Sequence, residues 1–145
     1  MSAYRNILVA VDGSEESLSI LARARELAAG DNAKLSVVLV FEPLLGTYSF
    51  ELNMADYEAI QQRHQEQVAA QMRELMTTQF PSVPADALHF LRGKPAAEIK
   101  RLAKDLGVDL LVIGSHGHNP VRAVLGSTAN AVLHGIHCDV LTVRV

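Results

Sequence analysis

The stretch Gly114-Ser115-His116-Gly117, continuing to Gly126-Ser127-Thr128, holds the residue types that can bind an anion. Glycines let a backbone turn tightly and approach a ligand closely. Gly126-Ser127-Thr128 opens a helix-like segment, where free N–H groups and the positive end of the helix dipole favour phosphate. Ser127 and Thr128 add hydroxyl donors, and Arg122 adds a cation. Spacing alone leaves a second reading open, in which two turns are joined by a short helix and Ser127 is an ordinary N-cap. The Walker pattern Gly-x-x-x-x-Gly-Lys-Ser/Thr is absent, so no lysine is placed for phosphoryl transfer. No dinucleotide fingerprint follows the first strand-like run.

A second candidate is Asp12-Gly13-Ser14, at the end of the run Ile7–Val11. A strand-terminal Asp can accept hydrogen bonds from a ribose or can order its own loop. No second carboxylate or nucleophile is visibly paired with it, so the sequence offers no acid–base couple. His116 and His118 lack a third metal ligand. His134, His137 and Cys138 read as a helix end and a buried thiol, because zinc usually takes three or four ligands from tighter motifs. His64 and His89 belong to no constellation. The expected metal ligands are therefore none.

These residues need elements to position them. Continuous apolar runs at Ile7–Val11, Leu35–Phe41, Leu88–Leu91, Val108–Ile113 and Val140–Val145 predict strands covered on both faces. Helical patterns fill the gaps. Ser14 is a plausible N-cap for the first helix and Gly30 a plausible stop. A long Gln- and Glu-rich helix spans about Met54 to Thr78, with Tyr57, Ile60, Val68, Met72, Leu75 and Met76 near helical spacing. Its polar side reads as a solvated face, and Met54, Met72 and Met76 read as packing. Pro95 opens a third helix that Gly107 closes, and Ser127–His134 makes a fourth. Alternation of strand and helix implies a parallel sheet with right-handed crossovers. In such sheets ligands bind at the carboxyl ends of strands, where strand order reverses. Residues 43–53 form the least regular connection.

With 145 residues, 49 % apolar and 20 % charged, the chain reads as one globular domain over residues 1–145. A net charge of −3 gives no general attraction to nucleic acid. The single Cys138 excludes an intrachain disulfide and fits a reducing compartment. The first apolar run is too short for a signal-peptide core, and no segment approaches the roughly 20 apolar residues of a membrane helix. A cytoplasmic location is the expectation.

Four motifs in order resemble the universal stress protein family. Ile7-Leu8-Val9-Ala10-Val11-Asp12-Gly13-Ser14 is similar to its first strand and loop. Gly93-Lys94-Pro95-Ala96-Ala97-Glu98-Ile99 is similar to the start of its third helix. Asp109–Gly117 looks like its fourth strand. The glycine stretch resembles the Gly-x-x-Gly-x9-Gly-Ser/Thr of its nucleotide-binding members, although here eight residues separate Gly117 from Gly126. The resemblance is weakest from Leu44 to Val83. It implies an adenine-nucleotide alpha-hydrolase-like, Rossmann-like α/β fold: a single open five-stranded parallel sheet of order 3-2-1-4-5, with helices on both faces. It also implies ATP or AMP, with Mg²⁺ as a candidate companion ion, bound between strands 1 and 4. Ala10, Val11 and Asp12 would lie by the adenosine, and Val40 by adenine. Gly114, Ser115, His116 and Gly117 would line the ribose and first phosphates, and Gly126, Ser127 and Thr128 the outer phosphates. A homodimer through Val140–Val145 and a binding, non-enzymatic role in stress signalling complete that expectation. Two alternatives stand beside it: a dimeric member that binds no nucleotide, and a slow ATPase using Asp12 or His116.

Overall fold

The structure is a computed structural model and describes residues 3–42, 54–115 and 127–145. Its strands are β1 (Asn6–Val11), β2 (Lys34–Phe41), β3 (Leu88–Arg92), β4 (Leu110–Gly114) and β5 (Asp139–Val143). Its helices are α1 (Glu16–Asp31), α2 (Met54–Gln79), α3 (Pro95–Asp105) and α4 (Ser127–Leu133). All four strand pairings are parallel, in the order β3-β2-β1-β4-β5. The expected architecture and strand order are those found.

Alternation along the strands divides the apolar residues into two cores. Ile7, Val9 and Val11 of β1, with Val37, Leu39 and Val112, pack under Ile20, Leu21 and Ala24 of α1 and Met72 and Met76 of α2. Leu8 and Ala10, with Val38, Leu111 and Ile113, pack under Ile99, Leu102 and Ala103 of α3 and Ala129 and Val132 of α4. The central strands carry no polar face because helices cover both sides.

Strand β5 spans Asp139–Val143 rather than Val140–Val145, and several other ends shift by one residue; three further differences have a local physical cause. First, α1 does not stop at Gly30. It runs on to Asp31 and ends at Asn32, which is left-handed at φ 54°. The Asn32 N–H donates to the Ala29 carbonyl and the Ala33 N–H to the Ala28 carbonyl, the paired bonds of a Schellman stop. Second, Ser14 does not cap α1. Glu15 occupies the cap position without a side-chain bond. Third, β4 begins at Leu110 rather than Val108. Asp109 leaves the strand because its carboxylate accepts the N–H groups of Asn6 at 3.0 Å and Arg5 at 2.9 Å, clasping the start of β1.

The 26-residue α2 is about 39 Å long, well beyond the reach of strands of five to eight residues. Its first buried side chain among those described is Ala69, and Ile60 is 53 % exposed despite its helical spacing. Val68 marks the crossing point, because it packs against Gly13 just past the end of β1. Residues before Val68 therefore overhang the carboxyl edge of the sheet, where there is no strand to bury them.

Candidate functional site

Sheet register sets the carboxyl ends of three strands side by side. Val11 pairs with Leu39, and Ala10 with Ile113. Asp12 directly follows β1, Val40 is the penultimate residue of β2, and Ser115 directly follows β4. The three residues thus stand together at the carboxyl edge, where the order turns from β1-β2-β3 to β1-β4-β5 and the crossovers diverge to opposite faces.

Asp12 follows the last buried residue of β1 and is itself half-buried. Its Oδ1 accepts the Ser14 N–H at 2.9 Å and lies 3.5 Å from the Ser17 hydroxyl, which donates to it. The first bond is an Asx turn, in which the side chain replaces a backbone carbonyl two residues on. The Ser17 hydroxyl also accepts the Gly13 N–H at 3.1 Å. Gly13 sits at φ +84°, and a Cβ there would meet Val68 Cγ1 at 3.0 Å and Leu39 Cδ1 at 3.5 Å. The backbone conformation favours glycine at this turn, and any side chain would also crowd Val68.

On β4, Gly114 is buried and Ser115 is 9 % exposed. The Ser115 N–H donates to the Val143 carbonyl at 2.8 Å, and the Ser115 Oγ accepts the Val145 N–H at 3.4 Å. Ser115 is thereby tied to the end of β5. Ala10 and Val11 are buried, and Val40 is half-buried among the apolar residues under α3. Ser127 begins α4, and Thr128 in its first turn is half-buried. His116, Gly117, His118, Arg122 and Gly126 lie outside the described residues. His134 and His137 are exposed. Cys138 is half-buried at the opposite, amino edge of the sheet, and burial followed by the charges of Asp139 and Asp109 pushes its thiol pKa up. Among the described residues, no group of three or more His, Cys, Asp or Glu is placed to hold a metal.

Ser17 is the site-loop residue that the sequence reading passed over. Its signal was the spacing Asp12-x-Ser14-x-x-Ser17, a carboxylate with hydroxyl residues two and five positions on. Helical periodicity hid it, since it occupies a place in the apolar stripe of α1.

The model of the Universal stress protein family matches residues 3–144. The chain belongs to the universal stress protein family. It is 38 % identical to universal stress protein A homolog 1 of Coxiella burnetii over 140 residues, which is 97 % of this chain and 96 % of that one. Among solved structures, it superposes on the universal stress protein UspA of Lactobacillus plantarum with a TM-score of 0.82 at 25 % identity, covering 99 % of this chain and 100 % of that one. It is also similar to a universal stress protein solved in complex with cAMP, with a TM-score of 0.61 at 29 % identity over 99 % and 98 % of the two chains. The fold of this family member is adenine nucleotide alpha-hydrolase-like.

Proposed function

We propose that this family member binds an adenine nucleotide at the carboxyl edge of β1, β2 and β4 and signals by occupancy, as a homodimer in the cytoplasm. The observation that carries the reading is that Asp12, Val40 and Ser115 stand at the carboxyl ends of three neighbouring strands where strand order reverses. The direction of the ligand follows the family resemblance. By that resemblance Ala10, Val11, Asp12 and Val40 take the nucleoside, an assignment with which the negative charge of Asp12 is consistent. The phosphates then extend toward Gly114, Ser115, His116 and Gly117 and toward Gly126, Ser127 and Thr128, the last two in the first turn of α4. A relative solved with cAMP agrees with a ligand of this chemistry. The reading assigns a binding role without turnover, in which Asp12 serves to order its loop. Among the described residues, no helix is long and apolar enough to cross a membrane.

The competing reading, a family member that works through partners without nucleotide, draws on the eight-residue Gly117–Gly126 spacer. Isothermal titration with ATP, ADP, AMP and cAMP separates the two. Saturable binding of at least one is the expected result. No heat at millimolar nucleotide overturns the proposal and leaves the partner-only reading.

A further inference from the structure

We infer that Ser17 is a positioning residue for the nucleotide site, holding the Asp12 carboxylate and the Gly13 turn in the geometry that receives the nucleoside. The inference rests on the nucleotide reading above and adds to it a buried residue that acts through Asp12 and Gly13.

Ser17 lies in the first turn of α1, yet its hydroxyl does not cap that helix. A capping side chain accepts N–H groups further along the chain. Ser17 reaches backward instead. Its Oγ accepts the N–H of Gly13, four residues earlier, at 3.1 Å, and lies 3.5 Å from Asp12 Oδ1, to which it donates. Its own N–H donates to the Ser14 carbonyl at 3.0 Å. The loop from Asp12 to Ser17 is therefore closed by both main chain and side chain. Ser17 is 2 % exposed, so these protein groups, rather than bulk water, satisfy its hydroxyl.

The consequence is directional. Gly13 is held at a positive φ, and the space a side chain would take there is closed by Val68 of α2. The Asx bond to Ser14 and the Ser17 hydroxyl both fall on Oδ1, which fixes the rotation of the carboxylate. A ligand that meets an ordered carboxylate does not have to order it on binding. Without the hydroxyl, the Gly13 N–H loses this acceptor and Asp12 Oδ1 loses the Ser17 donor.

Ser17→Ala, titrated with ATP and AMP beside the wild type, tests this. About fivefold weaker binding is expected, the effect of one typical hydrogen bond. Ser17→Cys is near in size but a weak hydrogen-bonding group. It should give the same loss and keeps the test valid if the alanine variant melts early. The discriminating readout is the ¹³C resonance of the Asp12 side-chain carboxyl. It should move on Ser17→Ala without ligand, and move in the wild type on adding nucleotide. Variants that bind as tightly as wild type, or an Asp12 carboxyl resonance that ignores either change, overturn the positioning role while leaving the nucleotide site standing. A wild type that binds neither nucleotide overturns the reading beneath it, and this inference with it.

Discussion

At the scale of single residues, acidic side chains do different work at the two edges of the sheet. Asp12 orders a loop at the carboxyl edge, and Asp109 clasps two N–H groups at the amino edge. For Asp109, burial raises the carboxyl pKa. The backbone N–H donors of Arg5, Asn6 and Asp109 itself, with the Arg5 charge, outweigh that and hold it below the usual carboxylate range. Its pKa is thus lower in the folded chain than in the unfolded one. The stabilisation is complete above the ordinary Asp range and is lost as pH falls through that range toward the folded value. Asp109→Ala should cost about 1–2 kcal/mol at neutral pH, since two N–H groups at the start of β1 lose their acceptor. Urea unfolding at pH 7 and at pH 3 checks this. The gap between wild type and variant should narrow at the lower pH, and a gap that stays constant would show that the charged form is not what clasps β1. Asp109 also shows why residue roles are hard to read in advance. The run Val108–Ile113 looks like one strand by apolar content, but a short carboxylate competes for backbone N–H groups, and here it ends the ladder.

At the scale of elements, the order of strands and helices was legible because both cores need continuous apolar strands, and Pro95 and Gly107 mark the limits of α3. Helix ends decided by backbone geometry were less legible. Gly30 has the right composition for a stop, but Asn32 is the residue in the left-handed conformation. A Cβ on Gly30 would meet nothing within 4 Å, and the residue lies inside α1. Gly30→Ala should therefore stabilise the protein by about 0.5–1 kcal/mol, by lowering the backbone entropy lost on folding. Asn32→Ala should destabilise it by about 1 kcal/mol, because alanine is strained at that φ, whereas Asn32→Gly should not. Thermal melts of the three variants give the sign of each. A lower melting temperature for Gly30→Ala would return the stop to Gly30. The overhang of α2 was illegible for a different reason. Helical spacing reports which side chains share a face, but not how far the sheet beneath them extends, so Ile60 shared the pattern of Met72 without sharing its burial.

At the scale of the whole molecule, the question is what meets the outer edge of β5. Among the described residues β5 pairs only with β4, and Val140, Leu141, Thr142 and Val143 are half-buried rather than covered. An unpaired edge of this kind is a template for another strand. The hydrogen bonds settle which backbone groups it offers. The Val143 carbonyl accepts from Ser115, and the Val145 N–H donates to the Ser115 Oγ, so odd-numbered residues of this segment face β4. The N–H and C=O of one strand residue point to the same side, and successive residues alternate. Val140, Thr142 and Arg144 therefore present their backbone groups to the open edge. The proposed homodimer through Val140–Val145 would use the Thr142 N–H at the middle of that edge. Thr142→Pro removes this donor and sets a ring in the path of a partner strand, while leaving the bonds of Val143 and Val145 toward Ser115 in place. Its neighbour Leu141 is already in the extended region that proline requires of the residue before it. Sedimentation velocity should give a dimer for the wild type and a monomer for Thr142→Pro at the same concentration, with circular dichroism of a folded α/β chain in both. A folded Thr142→Pro that still sediments as a dimer would place the interface elsewhere and would free the β5 edge from any part in assembly.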